Sequence, residues 1–147
     1  MGAPLRIFLD ANILFSAAKS NGAVRQLLQD LHADGHVLAA DDYVATEARR
    51  NIAAKSTGDA VDYLQALLSR IEVGAVRYNA KTGSVAHWLP EKDRPVLLAA
   101  IACHCDVLVT GDRTHFGAGY GQVFEGVTVV SPAQLALALW SGLQGTP

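Results

Sequence analysis

The chain is poor in cysteine. Its 147 residues hold two, Cys103 and Cys105, too few to staple a disulfide-framed secreted scaffold. It also lacks an excess of positive charge. Twelve Lys+Arg against 14 Asp+Glu give a formal net charge of −2, which argues against coating nucleic acid by bulk charge and leaves only a local basic rim open. The opening MGAPLRIFLDAN has no basic segment followed by a long apolar run, so no signal peptide is expected. The longest apolar stretch, residues 96–110, contains His104 and Asp106 and is too short to cross a bilayer. Internal repeats, low-complexity segments and linkers are missing as well. What is present is 50% hydrophobic residues with 18% charged, enough to build a core and too apolar for global disorder. The expectation is one domain over residues 1–147, soluble, cytoplasmic and without a membrane partner.

Hydrophobic periodicity lays out the elements. LRIFL (5–9) is a strand-length run ended by Asp10. Val24, Leu27, Leu28 and Leu31 recur at helical spacing over 22–31, and HVLAA (36–40) reads as a second strand. Asp41 and Asp42 then cap a helix to about Ala54, and Val61, Leu64, Leu67, Leu68 and Ile71 mark another, with Thr57 or Asp59 as its cap. Residues 73–76 suit a third strand. Residues 78–90 resist assignment beyond a turn near Lys81–Ser84. Asp93 and Pro95 open a helix to about Cys103, DVLVT (106–110) is a buried strand, and 115–126 reads as a loop. VTVV (127–130) is the last strand, and Ser131-Pro132 open a helix over 133–140. Alternation of this kind predicts an α/β fold, a three-layer α/β/α sandwich with a mostly parallel central sheet.

Open parallel sheets bind ligands at the carboxyl ends of their strands. Asp10, with Asn12 two residues on, ends the first strand, and Thr110-Gly111-Asp112 ends the strand before the loop. Glu47 lies beside the apolar stripe of its helix, and Asp93 opens a helix. Each has a plainer reading: Asp10 as a loop residue, Glu47 as solvated, Asp93 as an N-cap, Asp112 as a turn residue.

Together, FLDANILFSA (8–17), YVATEARRNI (43–52), DRPVLLAAIACHCDVLVTGD (93–112) and the HFG that follows resemble the PIN-domain ribonucleases, many of which are VapC-like toxins neutralised by a small antitoxin. The resemblance covers roughly residues 5–117. It implies a metal-dependent ribonuclease whose acidic site falls on Asp10, Glu47, Asp93 and Asp112, with Asn12 and Thr110 in supporting polar positions. Asp10 would bridge, Asp93 and Asp112 would be further ligands, and Glu47 would bind a second ion or orient water. Many members carry another Asp two residues past the Thr-x-Asp carboxylate, where this chain has Thr114.

Carboxylate crowding suits a hard cation, Mg²⁺ or Mn²⁺, because unneutralised like charges raise one another's pKa. Arg113, next to Asp112, is the basic residue tied most closely to the site and is a candidate RNA contact. A zinc site of Cys103, His104, Cys105 and His115 fits poorly, since the two thiols diverge by about 200° on a helix. Trp88 and Trp140 read as core or interface anchors. Two rival functions remain: a binding module that lost catalysis, and another α/β phosphoryl-transfer enzyme. A haloacid-dehalogenase-like phosphatase needs a second Asp where Asn12 stands, and a receiver domain needs a Lys where Thr110-Gly111 stand. Leu137, opposite Leu135 and Leu139 on the last helix, with Trp140 and Leu143 on their side, points to a homodimer contact.

Overall fold

The computed structural model describes residues 3–77 and 84–141. The turn near Lys81, Tyr78 and Leu143 lie outside the described residues. Six strands form one sheet: β1 Arg6–Leu9, β2 Val37–Asp41, β3 Glu72–Gly74, β4 Val107–Val109, β5 Val123–Phe124 and β6 Val127–Val130. Their order is β3-β2-β1-β4-β6-β5, parallel throughout except for the short β5 edge, which runs antiparallel to β6. Helices flank this sheet in the expected α/β/α arrangement. They are α1 Ala11–Lys19, α2 Ala23–Ala33, α3 Asp42–Lys55, α4 Gly58–Arg70, α5 Arg94–Ala102, α6 Arg113–Phe116 and α7 Pro132–Ala136. The central strands are continuously apolar because helices cover both faces. Ile7, Phe8 and Leu9 of β1 and Leu108 and Val109 of β4 are fully buried, packed with Leu14, Leu31, Ile52, Leu97 and Phe116.

Several local readings are corrected. Residues 11–19 form a full helix where none was expected. Its buried residues Ala11, Ile13, Leu14, Ala17 and Ala18 continue the apolar run of β1 almost without a break, which hid the change of period. The third strand is Glu72–Gly74, ending before Val76. The expected loop over 115–126 contains the end of α6, a 3-10 turn at Gly117–Gly119 and β5. The last helix opens at Ser131-Pro132 as expected, and the structure adds a capping box, Ser131 and Gln134 each accepting the other's backbone N–H. After Ala136 it continues as a π-helical turn over Leu137–Ser141.

The sheet order has one consequence for function. From β1 the chain moves to β2 and β3 on one side, while β4 and β6 lie on the other. The crevice between the carboxyl ends of β1 and β4 is therefore the topological switch point, where such sheets receive ligands. The register Leu9↔Val109 makes Asp10 and Thr110 the next residues on adjoining strands, and the Asp10 N–H donates to the Val109 carbonyl at 3.1 Å.

Candidate functional site

Asp10 caps α1 and is 5% exposed. Its Oδ1 accepts from the Ala11 N–H at 2.7 Å. Its Oδ2 accepts from the Thr110 hydroxyl at 2.8 Å and from Asn12 Nδ2 at 3.2 Å. Asn12 also donates to Thr110 Oγ1 and accepts the Gly111 N–H at 2.8 Å, so these two side chains clamp the loops after β1 and β4 together. Burial pushes the Asp10 carboxyl up to about 6. Hydrogen bonds from Thr110 and Ala11 oppose the rise, and the charges of Glu47 and Asp93 add to it.

Asp93 ends the 3-10 turn Glu91–Asp93 and occupies the N-cap position of α5, yet its side chain makes no capping hydrogen bond. Pro95 near the helix start has no N–H to be capped. The carboxylate is thus released toward the crevice, where Oδ2 lies 2.8 Å from His115 Nδ1. Asp112 does cap its helix, Oδ1 accepting the His115 N–H at 3.1 Å, while Oδ2 lies 2.9 Å from the same His115 Nδ1. Asp93, Asp112 and His115 offer ligand atoms all within 4.8 Å of one another. Despite these short contacts, His115 Nδ1 and Asp93 Oδ2 are buried without a hydrogen bond of acceptable geometry. The distances are those of an ion pair. Buried polar atoms converging without hydrogen bonds fit the donor set of a divalent cation, with one imidazole nitrogen among oxygens. Burial raises the Asp93 pKa, the charges of His115 and Lys92 lower it, and Asp112 raises it again.

Glu47 stands apart from that group. It is exposed on α3 and lines a cavity of about 330 Å³ with Tyr43, Thr46 and Arg50. Its charge nevertheless reaches both Asp10 and Tyr43. The four expected carboxylates therefore share one field. Asp93 and Asp112 meet directly through His115, Asp10 lies buried at the strand end, and Glu47 is at the rim.

Three residues at this edge were not singled out from the sequence for this role. His115 enters the sequence reading through the HFG match and, as a ligand, only with the thiols; its spacing of three from Asp112 in a four-residue helix is too short to show periodicity. Tyr43 donates its hydroxyl to the Lys92 carbonyl at 2.7 Å, tying α3 to the turn that carries Asp93. Tyr120 donates to the Thr110 carbonyl at 2.7 Å. Burial raises the pKa of both phenols, and nearby carboxylates add to the effect. Arg113 is exposed, and its charge is felt by Tyr120. Arg94, by contrast, donates to the Leu89 and His87 carbonyls and braces the preceding turn. Cys103 and Cys105 are free thiols that join no metal-ligating group among the described residues. Burial raises the pKa of both, that of Cys105 to about 12.

No protein-family model matches the sequence, and no curated protein does. Solved structures do resemble the fold. VapBC2 from Rickettsia felis, bound to a DNA fragment from its promoter, aligns with a TM-score of 0.63 at 19% identity, covering 86% of this chain and 98% of that one. VapC20 from Mycobacterium tuberculosis, a sarcin-ricin-loop-cleaving toxin, aligns at 0.56 and 15% identity over 80% of this chain and 98% of its own. FitAcB from Neisseria gonorrhoeae aligns at 0.55 and 16% identity over 86% and 98%.

Proposed function

We propose, starting from the VapC-like PIN fold of this chain, that it is a divalent-metal-dependent ribonuclease hydrolysing RNA phosphodiester bonds, the toxin of a bacterial toxin–antitoxin pair. The carrying observation is the convergence of Asp93, Asp112 and His115 on one point beside Asp10 at the switch point of the sheet. Asp10, Asp93 and Asp112 would hold Mg²⁺ or Mn²⁺ through carboxylate oxygens, with the His115 ring beside them and Glu47 at the rim. The ion, when bound, supplies Lewis-acid stabilisation of phosphate charge and a more acidic water. Asn12 and Thr110 fix the Asp10 carboxylate, Glu47 would bind a second ion or orient the attacking water, and Arg113 would contact a flanking phosphate.

The solved complexes of VapBC2 and FitAcB support a small antitoxin as protein partner. A homodimer through the exposed Leu137 belongs to the same reading. No helix among the described residues is long and apolar enough to cross a membrane, consistent with a cytoplasmic setting.

Incubation of the purified protein with RNA tests the reading. Cleavage should require Mg²⁺ or Mn²⁺, stop in EDTA and fall by about 100-fold or more in Asp10→Asn. Undiminished cleavage in EDTA, or a folded wild type that leaves RNA intact with either metal, contradicts it.

A further inference from the structure

We infer that the cavity at the far end of α1 and α3 is a phosphate-binding site, occupied by a phosphodiester of the RNA away from the bond that is cut. This rests on the ribonuclease reading for the identity of the ligand, though not for its chemistry. The cavity measures about 580 Å³, and its lining includes Lys19, Arg25, Lys55, Thr57 and Tyr63, with Asp59 as the one carboxylate.

Lys19 ends α1 and Lys55 ends α3, and their ammonium groups lie 5.4 and 5.9 Å from the centroid of the same Phe15 ring. Neither has a carboxylate within ion-pair distance among the described residues. Two like charges beside one half-buried ring repel each other, and a single aromatic face offsets little of that. An anion taken up in the cavity that both lysines line would relieve that repulsion. A lysine at a helix C-terminus also complements the exposed carbonyls, but at α1 that task is already done. Arg25 donates from Nε to the Ala17 carbonyl at 2.8 Å and from Nη2 to the Ala18 carbonyl at 3.2 Å, and its guanidinium lies 3.6 Å over the Tyr63 ring. Arg25 is thereby fixed as a cationic wall, and Lys19 is left available.

The other wall adds donors. Helices α2 and α4, of 11 and 13 residues, begin beside this cavity. Their N-cap residues Gly22 and Thr57 make no side-chain capping bond, so first-turn N–H groups have no side-chain acceptor. Donors from several directions suit a phosphate, which offers more oxygens than a carboxylate. The nine residues of α1 separate this cavity from Asp10 by about 14 Å along the helix axis. A short stretch of single-stranded RNA spans that distance, so one RNA can engage both ends.

The test uses a fluorescein-labelled 20-nucleotide RNA in EDTA, where cleavage is blocked, read by polarisation between 50 and 300 mM salt. A Lys19→Gln/Lys55→Gln protein should bind about tenfold more weakly, with a shallower salt dependence by roughly 0.7 per lost phosphate contact. Lys55→Gln should weaken binding more than the charge-matched Arg70→Gln on the other end of α4. In parallel, inorganic phosphate should raise the melting temperature of wild type and not of the double variant. Unchanged RNA affinity overturns the RNA assignment, and a phosphate-induced shift lost in that same variant would then mark a free-phosphate pocket. Absence of both effects overturns the site altogether. Weakened RNA binding by a protein that cleaves no RNA would support this site while removing the nuclease reading.

Discussion

Asp10 ionises against the cost of its own burial, and its carboxyl stands near 6 as a result. A folded-state pKa above the unfolded value means that the group's stabilising contribution is present at low pH and lost as pH rises through that value. Asp41 and Asp93, both raised chiefly by burial, act in the same direction. With metal chelated, the melting temperature should therefore fall from pH 4 to pH 7, and the fall should be shallower in Asp10→Asn. The Asp10 share is on the order of 2–3 kcal/mol for a shift of about two units. Thermal unfolding across that range decides it, and parallel profiles for the two proteins would remove Asp10 from the account. At this scale the sequence was informative in proportion to how simple each residue's surroundings are. Asp10 follows β1 directly and Asp112 lies three residues past the end of β4, so their edge position is legible. Asp93 was legible as a helix start, but that its carboxylate would leave the cap unmade depends on where His115 sits. His115 itself became visible only when α6 turned it back on Asp112.

Elements were readable where one period held long enough. Helices α2, α3 and α4, at 11, 14 and 13 residues, repeat their apolar face several times. Helix α1 was lost because its apolar run joins that of β1. The segment from α6 to β5 was lost because its order comes from tertiary contacts rather than periodicity. Trp88 stacks on Phe124 at 5.0 Å and meets Phe116 edge-on at 6.1 Å. Gly119 passes directly beneath it: a Cβ there would lie 2.9 Å from Trp88 Cζ2 and closer still to Cη2. Gly119→Ala should therefore destabilise the protein by about 1–3 kcal/mol through overpacking, measured by chemical denaturation with tryptophan fluorescence. A variant as stable as wild type would mean that Trp88 moves aside freely. Because Tyr120 follows Gly119 and bonds Thr110, the same change should also weaken metal-dependent activity.

For the whole molecule, alternation of strands and helices was enough to indicate a mostly parallel sheet. The strand order was not legible, because it depends on which crossovers pack together. That order is what places β4 beside β1, and hence Asp112 near Asp10. The C-terminal segment shows the same division. Leu135 is buried and Trp140 donates to Asp34 Oδ2 at 3.0 Å, while Leu137 is 62% exposed. The homodimer reading predicts a mass near twice 15.6 kDa by light scattering at micromolar concentration, reverting to the monomer in Leu137→Glu. A monomer that persists as concentration rises contradicts it. The central claim is that these acidic groups and His115 form a metal centre, and calorimetric titration of the metal-free protein with Mn²⁺ tests it most directly. Wild type should bind saturably, and a folded Asp93→Asn/Asp112→Asn protein should lose that binding. A folded wild type that takes up no Mn²⁺, or a double variant that binds it equally well, would contradict the account.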